Sequence, residues 1–176
     1  MVILITGATH TGKTRLAQKL LEQRHFPYLS QDHLKMGLIR SGYTALTPED
    51  PDEALTDYLW PVTREIVKTA IENRQDLIVE GCYIPFAWQS DFSDEYLREI
   101  HFLCICFSDD YIDAHYTDIL RYENCIEDRL DDGYCTPELL KSDNRRVREG
   151  CAAEGLPFVL VEDDYEQRMG EIVLID

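Results

Sequence analysis

A glycine-rich segment near the N-terminus has the residue types and the spacing that bind phosphate. It matches the pattern G-x-x-x-x-G-K-[ST] at every fixed position, in the run Gly7-Ala8-Thr9-His10-Thr11-Gly12-Lys13-Thr14. Its two glycines let the backbone turn N–H groups inward around a phosphate, and the positive end of a following helix lies behind them. We therefore predict that Lys13 reaches the β- and γ-phosphates of a nucleoside triphosphate and that the Thr14 hydroxyl helps to hold Mg²⁺.

The neighbours of this segment support the same interpretation. The apolar run 2–6 predicts a strand before it, and the apolar spacing across 14–22 predicts an amphipathic helix after it. This context disfavours the alternative, a surface turn that shares the pattern by chance. The predicted nucleotide-binding residues are Gly7, Thr9, His10, Thr11, Gly12, Lys13, Thr14 and Arg15.

Two carboxylates lie at the ends of predicted strands. Asp32 follows the apolar run 27–30, and Glu80 closes the run 77–80. The ends of parallel strands open onto the crevice where ligands bind, so Asp32 is expected to face the phosphate-binding segment. We predict that Asp32 orients the attacking hydroxyl of a substrate or accepts its proton. The alternative for Asp32 is an N-cap of a helix over 33–40, and for Glu80 it is an exposed carboxylate at the sheet end.

Basic residues concentrate in a late helix. The side chains that recur on one face at i, i+4 and i+7 are Lys141, Arg145 and Arg148, with Arg146 beside them. We predict a lid over about 121–148 that brings Arg145 and Arg148 onto the transferring phosphoryl group as catalytic cations. The alternative is a solvated helix face whose bases pair with nearby acids.

Short apolar runs alternate with helical patterns along the chain. The predicted strands are 2–6, 27–30, 77–80, 102–107 and 158–161, and the predicted helices are 14–22, 33–40, 62–73, 111–122, 136–151 and 165–175. Continuously apolar runs are typical of a parallel sheet covered on both faces. The alternation predicts one α/β domain over 1–176 with three layers. The stretches 42–60 and 124–135 are predicted to leave the sheet, the first within an excursion over about 37–75.

Composition narrows the classes of partner. The chain has 176 residues, with 34 acids against 17 bases and a formal charge of −17, so we expect no nucleic-acid partner. The longest apolar run, 102–107, is far shorter than the roughly 20 residues that span a bilayer, and we expect no membrane partner. The six cysteines form no C-x-x-C pair, which favours reduced thiols and a cytoplasmic location.

With these features in place, the chain resembles the small P-loop kinases, which include the nucleoside monophosphate, shikimate and gluconate kinases. The resemblance rests on the loop 7–14, on Asp32 after the second strand, on the excursion and on the arginine-rich late helix. The chain is similar above all to adenylate-kinase-like and 2-phosphoglycerate-kinase-like proteins. The resemblance implies a P-loop NTPase fold with a five-stranded parallel sheet, a substrate-binding excursion after strand two and a lid after strand four.

The resemblance also implies roles for single residues. Glu80, in Leu77-Ile78-Val79-Glu80-Gly81, stands where the Walker B acid holds Mg²⁺ through water. Glutamate departs from the commonest pattern, so contact between its longer side chain and the substrate stays open as an alternative. Arg121, before the lid, is similar to the arginine that stacks on adenine in related kinases. Arg40 and Arg64 are candidate contacts for an anionic substrate group, with a surface position as the alternative for each.

These features predict a kinase that uses ATP and Mg²⁺ to transfer a phosphoryl group to a hydroxyl or phosphate of a small metabolite. The acceptor stays open among nucleoside monophosphates, phosphoglycerate, sugars and amino-sugar nucleotides, and the sequence is silent on oligomeric state. The alternative from another class is a regulatory or sensing protein that binds nucleotide without transferring phosphate. A GTPase is disfavoured because the N/T-K-x-D motif is absent, and an RNA-end kinase because of the charge of −17.

Overall fold

The computed structural model describes residues 1–122 and 135–172 of the chain. Its strands are β1 (Val2–Gly7), β2 (Tyr28–Ser30), β3 (Leu77–Glu80), β4 (Ile100–Phe107) and β5 (Val159–Val161). Its helices are α1 (Lys13–Arg24), α2 (Gln31–Arg40), α3 (Asp52–Glu72), α4 (Asp94–Leu97), α5 (Asp109–Tyr122), α6 (Pro137–Ala153) and α7 (Tyr165–Gly170), with a 3₁₀ segment at Trp88–Asp91.

The strands of the described residues form one parallel sheet in the order β2-β3-β1-β4-β5. The register pairs Ile5 of β1 with Glu80 of β3, and Ser30 of β2 pairs with the same Glu80. On the other side of β1, Gly7 pairs with Ile105 of β4. The carboxyl ends of β1, β2 and β3 therefore meet at one edge, which is where ligands bind in sheets of this kind.

Alternate residues of β1 pack on opposite faces of the sheet. Val2 and Leu4 lie in a core with side chains of α3 and α6, whereas Ile3 and Ile5 lie in a second core with side chains of α1 and α5. All four are buried, as continuously apolar strands in a covered parallel sheet require. The predicted three-layer α/β fold with a five-stranded parallel sheet, the P-loop NTPase fold, is confirmed.

The largest departure from the predicted elements is α3. The pattern predicts a helix over 62–73 after a non-helical stretch, whereas the helix begins at Asp52 and runs through Pro61. Proline removes one intrahelical hydrogen bond, but Pro61 and Asp57, four residues earlier, are both exposed. The carbonyl that loses its partner therefore lies on the solvent side, and apolar burial on the other side holds the helix together.

Other differences are confined to the ends of elements. The final helix, predicted over 165–175, ends at Gly170 within the described residues. The first helix continues to Arg24 and ends on His25 in the left-handed conformation. Residues 123–134, which hold much of the predicted lid over about 121–148, lie outside the described residues. The division into one domain with an excursion and a lid stays a prediction.

Within the described parts of the chain, no helix combines the length and the apolar character needed to cross a membrane. The five cysteines of those parts are free thiols, and three of them, Cys104, Cys106 and Cys151, are buried.

Candidate functional site

The glycine-rich loop connects β1 to α1 and needs glycine at both ends. At Gly7 a Cβ atom would overlap the backbone carbonyl of Ile105 in the neighbouring strand. Gly12 has φ 81°, in the left-handed region that favours glycine, and a Cβ atom there would overlap the Tyr165 hydroxyl of α7. His10 also has a positive φ, 61°. The backbone thus turns sharply between strand and helix, as a phosphate loop requires.

Side chains of the loop converge on one carbonyl. Lys13 Nζ and Thr11 Oγ1 each donate to the Ala8 carbonyl oxygen over 2.8 Å. Thr11 is buried, whereas the Thr9 hydroxyl lies 3.0 Å from Nδ1 of His10 near the surface. The Lys13 ammonium therefore lies across the loop, where its side chain can reach an anion bound by the loop.

Thr14 and Glu80 lie together at the edge where β1 and β3 end. The Thr14 hydroxyl donates to Glu80 Oε2 over 3.3 Å. Glu80 is only 1% exposed, and its Oε1 is a buried oxygen without a hydrogen-bond partner among the described residues. Burial raises the pKa of this carboxyl above its ordinary value of 4.5, while the Ser30 hydroxyl and the Lys13 ammonium act in the opposite direction. The exposed-carboxylate alternative is not observed.

Asp32 faces a lysine that the sequence analysis did not single out. Lys35 Nζ lies 2.7 Å from Asp32 Oδ1 and also donates to the Tyr83 hydroxyl over 2.8 Å. The helix α2 begins at Gln31 with Ser30 at the N-cap position, so Asp32 belongs to the first turn and is not the N-cap. A signal for Lys35 is present in the sequence, because residues three apart share a helix face.

A buried glutamine joins the ends of β2 and β3. Gln31 Oε1 accepts the backbone N–H of Tyr83 over 3.0 Å, and Gln31 Nε2 donates to the Tyr83 carbonyl over 3.2 Å. The same amide donates to the Thr63 hydroxyl of α3 over 3.3 Å. A Cβ atom at Gly81 would overlap this side chain. Sequence reasoning missed Gln31, because nothing in the pattern marks a polar residue that becomes fully buried.

The helix α6 contacts the loop through an acid. Asp143 Oδ2 accepts the backbone N–H of Thr9 over 2.7 Å, and Asp143 Oδ1 accepts from Arg146 over 2.6 Å. Arg146 Nη2 also lies 3.8 Å from Asp52, at the start of α3. Three elements around the predicted site, the loop, α6 and α3, are thereby linked by charged side chains.

The two arginines predicted to be catalytic are held on the other side of α6. Arg145 and Arg148 pair with opposite oxygens of Asp109, at the start of α5, over 2.9 Å and 3.3 Å. Arg145 is exposed, and such pairs are individually weak. Both guanidinium groups contact the same carboxylate, and their catalytic role stays a prediction.

The remaining predicted residues lie outside this group of contacts. Arg15 pairs with Glu166 over 2.5 Å and lies over the Tyr165 ring. Arg64 pairs with Glu65 and Asp91, over 2.8 Å and 3.5 Å. Arg40 is exposed in the last turn of α2, and the Arg121 guanidinium lies 5.9 Å from the centroid of the Tyr122 ring. Their predicted ligand contacts stay predictions.

No protein-family model matches the sequence, and comparison with curated proteins finds no match. Solved structures do match over nearly the whole chain. A gluconokinase from Sinorhizobium meliloti 1021 aligns at 14% identity with a TM-score of 0.53, over 97% of this chain and 87% of that one. A shikimate kinase from Bacteroides thetaiotaomicron aligns at 14% identity with a TM-score of 0.54, over 98% and 96%. A deoxyadenosine kinase from M. mycoides, solved with dCMP and dCDP, gives 14% identity and a TM-score of 0.54, over 98% and 96%.

Identities this low show the fold alone. The chain has the three-layer α/β fold of these kinases, in agreement with the predicted resemblance to small P-loop kinases. Function has to be argued from the site, because one fold supports many activities.

Proposed function

We propose that the protein is a kinase that transfers the γ-phosphoryl group of ATP to a hydroxyl or phosphate of a small metabolite. The observation that carries the proposal is the meeting of three groups at one sheet edge: the glycine loop with Lys13, the Thr14–Glu80 pair, and Asp32. Asp32 follows by two residues Ser30, which pairs with Glu80 in the sheet, and the Lys13 ammonium lowers the pKa of Glu80 while Asp32 raises it. A nucleotide site and an acceptor site would thus adjoin.

Nucleotide binding is assigned to the loop and to the residues next to it. Backbone N–H groups between Gly7 and Thr14 would hold the phosphates, with the N-terminus of α1 behind them. Lys13 would exchange its bond to the Ala8 carbonyl for the phosphate oxygens. Arg15 and Arg121 are the proposed contacts to the remainder of the nucleotide.

The donor set at Thr14 and Glu80 fits Mg²⁺. Glu80 offers a buried oxygen without a partner among the described residues, next to a hydroxyl. No cluster of three or more His, Cys, Asp or Glu side chains that could hold a metal occurs in the described parts of the chain. Magnesium keeps several waters and binds through few protein ligands plus phosphates, so two side chains suffice. When bound, Mg²⁺ would neutralise charge on the phosphates.

Acceptor activation is assigned to Asp32. Its carboxylate would accept the proton of the acceptor hydroxyl while that oxygen attacks the γ-phosphorus, the bond to the bridging β–γ oxygen breaks, and ADP leaves. Lys35, fixed between Asp32 and the Tyr83 hydroxyl, would hold the carboxylate in place. Arg40 and Arg64 are proposed contacts to an anionic part of the acceptor, and Arg145 and Arg148 to the transferring phosphoryl group.

The test measures ADP formation by the purified protein with Mg·ATP, alone and with a panel of acceptors. The panel contains nucleoside monophosphates, phosphoglycerates, sugars and amino-sugar nucleotides, and the variant Lys13→Ala is the control for contaminating activity. ADP formation that depends on an acceptor and is lost in Lys13→Ala supports the proposal. Nucleotide binding without ADP formation on any acceptor would instead favour the regulatory alternative.

A further inference from the structure

The loop already holds an anion that belongs to the protein. Asp143 Oδ2 accepts the Thr9 N–H over 2.7 Å, and the Asp143 side chain is only 19% exposed. Thr9 lies inside the loop whose backbone N–H groups are arranged to bind phosphate oxygens. A carboxylate oxygen is the same kind of acceptor as a phosphate oxygen, so the two compete for this N–H group.

Tertiary packing determines where Asp143 lies. Its neighbour Asn144 is fully buried, accepts the backbone N–H of Phe107 over 2.7 Å and donates to the Leu140 carbonyl over 2.8 Å. Val147, on the same side of α6, is buried in the core. The helix is therefore anchored at the end of β4, and this anchor presents Asp143 to the loop.

Asp143 also holds a cation at the same place. Arg146 Nη2 lies 2.6 Å from Asp143 Oδ1 and 3.8 Å from Asp52. If a triphosphate occupied the loop, its negative charge would repel Asp143 and attract Arg146. One exchange would thus remove the carboxylate from the Thr9 N–H and leave the guanidinium beside the phosphates.

We propose that Asp143 is a positioning residue: it occupies the anion site of the loop until a nucleotide phosphate displaces it, and the displacement transfers Arg146 from Asp143 to the phosphate. This inference rests on the proposed function, because it requires the loop to bind a nucleoside triphosphate. It makes Arg146 an α6 cation that responds directly to nucleotide binding, in addition to the contacts proposed for Arg145 and Arg148.

The first experiment measures the Kd of Mg·ATP by calorimetry for the wild type and for Asp143→Asn. Removing the competing charge is expected to lower Kd about ten-fold, the order of magnitude of a hydrogen bond to a charged group. Glu149→Gln, an exposed acid of α6, removes the same charge away from the loop and is expected to leave Kd within about two-fold. A Kd for Asp143→Asn equal to or above the wild-type value would overturn the proposal.

A second experiment separates positioning from simple structural support. Arg146→Gln is measured in the wild type and in Asp143→Asn, where its loss should weaken Mg·ATP binding more because no carboxylate competes for the guanidinium. Asp143→Asn is also expected to lower the Tm measured without nucleotide but not the Tm at saturating Mg·ATP. Equal losses of Tm under both conditions, or equal effects of Arg146→Gln in both backgrounds, would contradict the exchange.

The same titrations separate a failure of the role proposed for Asp143 from a failure of the proposed kinase function. Wild-type protein that binds Mg·ATP, with Asp143→Asn binding no more tightly, defeats the role of Asp143 and leaves the proposed function intact. Absence of Mg·ATP binding in both proteins, with both folded by circular dichroism, defeats the proposed function and the inference with it.

Discussion

The Thr14 hydroxyl, in the first turn of α1, donates to Oε2 of Glu80, the last residue of β3, over 3.3 Å. The two residues are 66 positions apart and meet because β1 and β3 are neighbours in the sheet. The other oxygen of Glu80 is buried without a partner among the described residues. A buried carboxylate with an unused oxygen lowers stability unless a ligand uses it, so this pair combines a cost to folding with a proposed function.

Replacing Glu80 with glutamine should therefore increase stability in a pH-dependent way. Burial raises the pKa of Glu80 above its ordinary value of 4.5. The stability that the wild type has with a neutral Glu80 is therefore fully present below pH 4.5, and it is lost as the pH rises through the folded-state pKa. Glu80→Gln does not ionise, and its Tm relative to the wild type should rise between pH 4 and pH 8. Each 1 kcal/mol would appear as about 2–4 °C.

Thermal denaturation across this pH range measures the effect, with exposed Glu49→Gln as the control. Glu80→Gln should also lose the part of its ATP affinity that depends on Mg²⁺. A difference in Tm that stays constant with pH would show that ionisation of Glu80 does not limit stability.

Lys13→Ala should abolish phosphoryl transfer while leaving the fold intact. Within the described residues, the hydrogen bond of the Lys13 ammonium goes to a loop carbonyl, so its loss costs little packing. The substitution does remove the cation proposed to hold the β- and γ-phosphates. We expect kcat/KM to fall at least about 100-fold, with a Tm close to that of the wild type. Lys19→Ala, later in α1, is the matched control. Activity like that of the wild type in Lys13→Ala would defeat the kinase assignment.

Asp32→Asn should affect turnover much more than nucleotide binding. The amide cannot accept the proton of the acceptor hydroxyl, and loss of a general base typically lowers kcat about 10²–10⁴-fold. The Kd of Mg·ATP should stay within about two-fold, because Asp32 is paired with Lys35 and not with the loop. The exposed acid Asp57 of α3 supplies the control Asp57→Asn. Equal losses in kcat and in nucleotide affinity would reduce Asp32 to a structural role.

Gln31→Ala should destabilise the protein by about 2–4 kcal/mol. The substitution breaks two hydrogen bonds to the Tyr83 backbone and one to the Thr63 hydroxyl, and it takes these partners from the buried N–H and carbonyl of Tyr83. Urea denaturation measures the loss, and Gln18→Ala on the surface of α1 is the control. Because Gln31 precedes Asp32, activity should fall further than stability explains. A change below about 0.5 kcal/mol would show that water replaces these bonds.

The glycine-rich loop could be predicted from the sequence and the full length of α3 could not, for physical reasons. The loop was identifiable because its chemistry depends on local backbone geometry, which two glycines and their spacing encode. The extension of α3 through Pro61 was missed because the helix is stabilised by burial of Leu55, Leu59 and Trp60. That burial comes from neighbours distant in the chain, and it outweighs the local effect of one proline.

Charged contacts across elements were the least predictable feature. Lys141, Arg145 and Arg148 were recognised as one face of a helix, but their partners, Asp113 and Asp109, lie on α5. The acid that contacts the loop, Asp143, appeared in the sequence only as a neighbour of those bases. Asp143 and Thr9 are 134 positions apart along the chain, and the docking of α6 on β4 brings them into contact.

The amino-acid sequence alone determined the glycine-rich loop, the strands and the class of fold, because glycine geometry and apolar periodicity act within a few residues. Only the tertiary structure decided the long-range contacts around the site: Asp143 on the Thr9 N–H, Lys35 between Asp32 and Tyr83, and Gln31 between β2 and β3. Those contacts depend on the order and register of strands and on how helices dock on them. Both arise from burial summed over the whole chain, which no local pattern contains.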